Sequence, residues 1–277
     1  MKKQTVIMIA RYTIAIAFGI LMLIPFYWMI VTSFKSPGNV FSNPINWWVD
    51  SFNFDNYKIF FEKYNGWKYI WNTVRLSLIN IVGVVVSNAV VAYAVAFMKS
   101  RRKRLIMFLL LITMMMPGTV TFFPQFIVYV TLGWYGTMLP LWVPAFLGNA
   151  YYIFLLRQYF LTIPKPILDA ARVTGASDFR ILCQIVVPMA KPVFIIMILS
   201  TFIGVWSDLF GPLIYILDES ERTFPVLLSY MNSTYGNTGM LPTIMSGAVL
   251  SAIPTLVVYF LSQKAMIKAY VFKTGDK

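Results

Sequence analysis

Asp169, Ala170 and Ala171, followed by Thr174, Gly175, Ala176 and Phe179, form the densest group of residues whose types and spacing carry a chemical meaning. A carboxylate beside two small residues offers a single charge on a surface that another backbone can approach closely. That combination suits docking against a protein, not making or breaking bonds. The local signals around it are those of two short helices. Pro164 and Pro166 fit a helix start, where a missing N–H is no loss. Gly175 is suited to a left-handed residue just past a helix end. Ser177 or Asp178 can cap a second helix. In that helix Phe179, Leu182 and Val186 fall on one face at helical spacing. Pro188 and Pro192 then steer the chain away. The expected product is a helix–turn–helix knob over residues 161–192, with small residues near its tip.

Groups able to perform catalysis are scarce. The chain has no histidine, which removes imidazole bases and His-ligated zinc. Cys183 is alone and reads as a small apolar residue on a short helix. No G-x-x-x-x-G-K-S/T loop is present, so ATP binding is not expected on this chain. Asp208 is the one acid well inside a long apolar run. An acid in that setting faces a bundle interior or a water-filled cavity. It reads either as a pathway or gate contact or as a structural carboxylate bonded to a neighbouring helix or subunit. Asn88, inside another apolar run, has the same two readings.

The elements that must position these residues are membrane helices. Hydrophobic residues make up 59% of the 277 and charged residues only 12%, with a mean hydropathy of +0.71. A soluble domain carries about 25% charged residues. A crossing helix needs about 20 apolar residues. Residues 12–34 and 70–98 each supply one. The run 105–156 holds no charge and is too long for one crossing, so Gly133-Trp134-Tyr135-Gly136 is expected to turn it back. This gives spans at 105–130 and 138–160. Spans at 193–217 and 241–263 follow. Several contain proline, which suits helices that bend along a pathway and also ordinary packing kinks. The predicted fold class is an all-α integral membrane protein, a single domain over 1–277, with six transmembrane helices and a helix–turn–helix loop over 161–192.

An excess of Lys and Arg over Asp and Glu, 23 against 10, is read as topology. If the N-terminus is cytoplasmic, 17 of the 23 basic residues fall on that side, among them Arg101, Arg102, Lys103, Arg104, Lys165, Arg172, Arg180 and Lys191. The outer side keeps Lys35, Lys58, Lys63, Lys68, Arg75 and Arg222. The positive-inside bias therefore puts both termini and the 161–192 knob in the cytoplasm.

The pattern Asp169-Ala170-Ala171, Gly175-Ala176, Phe179, Pro188 and Lys191-Pro192 resembles the EAA loop of ABC-importer permeases. Asp169 stands where that family usually has Glu, and Thr174 where it usually has Asp. Pro25-Phe26-Tyr27-Trp28, Asn72-Thr73, Ala92-Tyr93-Ala94, Pro117, Pro124, and Trp206 with Asp208, Pro212 and Leu213 are similar to the carbohydrate (maltose-type) branch, specifically its six-span subunit. The resemblance implies a non-enzymatic subunit that forms half of a pore in the bacterial cytoplasmic (inner) membrane. Its partners would be a second homologous permease, two ATP-binding subunits and an extracellular solute-binding protein. It would bind no nucleic acid. No cofactor is implied on this chain, with ATP and Mg on the partner ATPases. Asp169, Ala170, Ala171, Thr174, Gly175, Ala176 and Phe179 would couple to the ATPase. Asn88, Trp206 and Asp208 would belong to the substrate pathway or gate. Tyr230, Asn232, Tyr235, Gly236 and Asn237, in an outer loop over 218–240, would touch the binding protein. The solute implied is a sugar, an oligosaccharide by class. The runner-up is a peptide, polyamine or phosphate importer. An ion-coupled transporter lacks the several mid-membrane ionisable groups it would need, and for a membrane enzyme the absence of histidine leaves only weak candidates for a nucleophile–base pair.

Overall fold

The computed structural model describes residues 2–40, 46–49, 52–97, 101–236 and 239–271. Every regular element among them is helical. Segments Ile7–Ser33, Gly66–Phe97, Leu139–Phe160 and Leu241–Gln263 are long and apolar enough to cross a membrane. Two further apolar pairs are sharply bent. Lys103–Met115 meets Gly118–Thr131 at 102°, and Asp178–Met189 meets Lys191–Trp206 at 82°. Counting each pair once gives six, and the chain is a multi-pass membrane protein.

The chain divides into two compact units. The first takes in Met1–Trp67 and Leu227–Pro254. It contains α1 (Lys2–Ser33), α2 (Asp55–Glu62), the start of α3 (Gly66–Phe97), most of α13 (Phe224–Tyr235) and the first part of α14 (Leu241–Val271). Long apolar residues of α1 such as Ile14, Phe18 and Leu23 are exposed, as a lipid-facing helix requires. The end of α1 is closed by Asn56, whose amide donates to the carbonyls of Ser33 and Lys35 at 2.9 Å each. That satisfies carbonyls a helix end leaves open. The buried ring of Phe60 lies against Gly66 and Gly247. A Cβ at either glycine would come within 2.2 Å and 2.8 Å of that ring, respectively. The aromatic stretch that follows α1 forms ring contacts. Trp47 meets Trp28 edge-on, and Phe34 is flanked by Phe52, Phe54 and Tyr57.

The second unit takes in Lys68–Val226 and Thr255–Lys277. It holds the rest of α3, then α4 (Lys103–Met115), α5 (Gly118–Thr131), α6 (Leu139–Trp142) and α7 (Ala150–Phe160). After these come α8 (Lys165–Val173), α9 (Asp178–Ile181), α10 (Val187–Met189), α11 (Lys191–Trp206) and α12 (Phe210–Tyr215). α7 packs between α4 and α11, and α6 packs against α12.

Three expected spans are not simple rods. The span expected at 105–130 is broken at Pro117, because Met116 before it is extended (ψ 120°) as a residue preceding proline prefers. The one at 138–160 breaks at Gly148 (φ +88°). The one at 193–217 is interrupted at Ser207–Leu209. Pro25, Pro124 and Pro254 lie inside unbroken helices. Residues 133–136 form the turn read from their glycines. Gly133 and Gly136 take φ of +70° and +90°, and the N–H of Gly136 donates to the carbonyl of Tyr215 at 3.0 Å.

Candidate coupling knob

The residues 164–190 fold as two short helices around a glycine turn. Pro164 precedes α8 and Pro166 sits in its first turn. At the far end the N–H of Gly175 donates to the Arg172 carbonyl and that of Ala176 to the Ala171 carbonyl, both at 3.0 Å. These two bonds are the Schellman closure, which needs a left-handed residue. Gly175 supplies it at φ +81°. A Cβ there would meet nothing within 4 Å, so backbone conformation, not space, demands glycine. Ser177 is extended (ψ 154°), and its Oγ accepts the N–H of Arg180 at 3.3 Å, capping α9. A π-turn over Leu182–Val186 joins α9 to α10.

One side of this knob is rooted in the core of the second unit. Leu168, Ile181, Leu182, Val186 and Ala190 are buried in a cluster with Ala92, Tyr93, Leu156, Phe160, Phe194 and Met197. Ala171 and Ala176 pack against it and are half-buried. Asp169, Ala170, Thr174 and Gly175 are exposed. So are Val173, at 88%, and Phe179, at 72%. The expectation that Phe179 shares a face with Leu182 and Val186 is therefore corrected. The π-turn inserts an extra residue, so Ile181 and Leu182 align with Val186 and Phe179 is left pointing outward. The knob thus has an apolar root and an exposed surface carrying the carboxylates of Asp169 and Asp178, small residues and two large apolar side chains.

Its charges are arranged around Arg172. The guanidinium reaches Asp169 Oδ1 at 3.3 Å and Asp178 Oδ1 at 3.6 Å. Asp169 therefore has a partner inside the chain while staying accessible. Asp178 Oδ1 also accepts the hydroxyl of Tyr93, from the end of α3, at 2.7 Å. Tyr93 was noted in the sequence only as part of the Ala-Tyr-Ala pattern, and nothing local announces a partner 85 residues away.

The three residues expected along a pathway each make contacts within the chain. Asn88 is fully buried. Its amide donates to the Val84 carbonyl at 2.6 Å, and its Oδ1 accepts the N–H of Asn149 at 2.8 Å, at the break before α7. Trp206 is 3% exposed and stacks on Phe202 at 5.6 Å. Asp208 is half-buried, and its Oδ1 accepts the N–H of Gly211 at 3.1 Å, closing the turn between α11 and α12. A Cβ at Gly211 would sit 2.6 Å from Asp208 Oδ2, so glycine lets the carboxylate in. Asp208 thus has a hydrogen-bond partner within its own chain.

The expected outer loop over 218–240 is largely α13. Phe224, Leu227 and Met231 are buried at helical spacing, and Pro225 sits in the first turn. That apolar run is shorter than a span, so periodicity over a whole crossing could not find it. Tyr230 and Asn232 are exposed on this helix, whereas Tyr235 is half-buried against Tyr64 and Tyr230. The N–H of Gly236 donates to the Asn232 carbonyl at 3.0 Å. Asn237 lies outside the described residues. The start of this segment is tied down by the Asn72-Thr73 pair. Asn72 donates to the carbonyls of Ser220 and Arg222 at 2.9 and 3.0 Å, and Thr73 Oγ1 accepts the N–H of Phe224 at 2.8 Å.

The described residues form a multi-pass helical protein with a helix–turn–helix insert whose root is buried and whose tip is exposed. Residues 88–267 match the family described as binding-protein-dependent transport system inner membrane component, and the chain belongs to that family. It is a transport subunit, not an enzyme, and one component of a larger system. It is 29% identical over 259 residues to the arabinooligosaccharides transport system permease protein AraQ of Bacillus subtilis (strain 168), covering 90% of this chain and 89% of that protein. It is 24% identical to the lactose transport system permease protein LacG of Rhizobium radiobacter, over 94% and 93% of the two chains. Among solved structures, a chain of a bacterial ABC transporter involved in the import of the acidic polysaccharide alginate superposes with a TM-score of 0.85. Its identity is 22%, over 95% of this chain and 98% of that one.

Proposed function

We propose that this chain is the six-span permease subunit of an ABC importer for a sugar, an oligosaccharide by class. With a second homologous permease it lines the pore. Two ATP-binding subunits in the cytoplasm hold ATP and Mg, and an extracellular solute-binding protein delivers the sugar. The observation that carries the reading is the exposed tip of the knob, Asp169, Ala170, Val173, Gly175 and Phe179, standing on a buried root. It offers a docking surface with no catalytic group. Near full-length similarity to permeases named for arabinooligosaccharides and lactose supports the sugar class. The distribution of Lys and Arg supports termini and knob in the cytoplasm. ATP binding would close the ATPases, shift the knob and open the pore outward to accept sugar. Tyr230 and Asn232 on α13 are the exposed residues proposed to meet the binding protein. Asn88, Trp206 and Asp208 hold the span breaks in shape.

The test is deletion of this subunit in its host, followed by uptake of radiolabelled arabinotriose, lactose, maltotriose, a dipeptide, spermidine and phosphate. Loss of uptake of one or more of the three saccharides, restored by the intact chain, is expected. Unchanged saccharide uptake with loss of peptide, polyamine or phosphate uptake would overturn the sugar assignment.

A further inference from the structure

The knob touches α3 in two physically different ways. Ile181, Leu182 and Val186 share one apolar cluster with Ala92 and Tyr93. Such packing is non-directional. The bond from the Tyr93 hydroxyl to Asp178 Oδ1, at 2.7 Å, is directional, and a charged acceptor makes it stronger than a neutral pair. The same carboxylate faces Arg172 at 3.6 Å, and Arg172 reaches Asp169 at 3.3 Å. One carboxylate therefore gathers the end of α3, the last turn of α8 and the first residue of α9.

We propose that Tyr93 is a positioning residue of the coupling machinery, whose bond to Asp178 locks the second knob helix to α3. A displacement received at the knob tip then moves that span instead of sliding beneath it. The proposal rests on the transport reading above and adds the part that carries the motion. The geometry also makes the link separable from folding. The Tyr93 ring is buried and packs edge-on against Phe97 at 5.2 Å, contacts that phenylalanine keeps. The Asp178 side chain is 55% exposed, so water can replace the lost hydroxyl without a buried orphan.

The experiment uses the assembled complex in lipid nanodiscs. Nitroxides are placed on the native Cys183, which is exposed, and on Val90→Cys, an exposed position of α3. Their separation is measured at rest and after trapping with Mg-ATP and orthovanadate. The parent should show one narrow distance that survives trapping, because knob helix and span move together. Tyr93→Phe and Asp178→Ala should each broaden it at rest and shift it on trapping, and the double variant should be no broader than either single one. Asp178→Asn keeps an acceptor oxygen and should stay narrow. A Tyr93→Phe complex with the parent's distances would overturn the proposal. So would an Asp178→Asn complex that behaves like Asp178→Ala, since the charge toward Arg172 would then be the link. Failure of the parent to trap vanadate would instead refute the importer reading, while the resting distances would still judge Tyr93.

Discussion

Replacing Gly175 tests the knob at its most local constraint. At φ +81° an L residue is strained, by about 1–2 kcal/mol for the left-handed conformation. No steric term adds to this inside the chain, because a Cβ at 175 meets nothing within 4 Å. Gly175→Ala should therefore lower the population of the native turn by roughly five- to thirtyfold relative to its alternatives. Gly175→Val should lower it more, since a β-branched side chain tolerates this region least. Gly175→Asn should be the mildest, since asparagine visits this conformation most readily. The assay is ATP hydrolysis stimulated by the loaded binding protein, together with uptake, in proteoliposomes, after confirming that each variant reaches the membrane. The expected order of loss is Asn, then Ala, then Val. Unchanged uptake and unchanged stimulation in Gly175→Val would refute the reasoning. A loss that follows side-chain size, with Asn worse than Ala, would also refute it, because the constraint would then be a clash with the docked ATPase and not the turn.

Three further outcomes are expected. In a Cys183→Ser background, a cysteine at Ser177 should react with an impermeant thiol reagent only after the cytoplasmic face is opened; labelling in intact cells would invert the topology. Asn88→Ala should leave the Asn149 N–H without its acceptor and destabilise the chain by about 1–3 kcal/mol, seen as a lower unfolding temperature in detergent with the sugar preference unchanged. A changed preference would return Asn88 to the pathway. Tyr230→Ala combined with Asn232→Ala, both at exposed positions of α13, should leave assembly intact and slow sugar transfer from the docked binding protein. Wild-type transport in that double variant would remove α13 from the contact.

That the chain is built from long apolar helices was legible in its residues, because a bilayer demands long uncharged stretches whatever the rest of the fold does. The ends of the knob helices were legible too. Pro164 and Pro166 lack N–H groups, Gly175 accepts a left-handed backbone, and Ser177 carries a capping oxygen within reach of its own turn. Each of these effects acts within a few residues. What the sequence left open depends on partners far along the chain. Asn88 and Trp206 read as pathway residues because a polar or aromatic side chain in an apolar run looks the same whether it faces a pore or a neighbouring helix. The contacts with Asn149 and Phe202 appear only in the folded chain. Phe179 turned outward because a π-turn over Leu182–Val186 shifts the register, and the cluster it packs into draws residues from several helices. The link between Tyr93 and Asp178 spans 85 residues, beyond the reach of any periodicity. Local sterics and solvation therefore set the spans and the turns. Packing between distant segments set which side chains are exposed, and exposure is what separates the tip of the knob from its root.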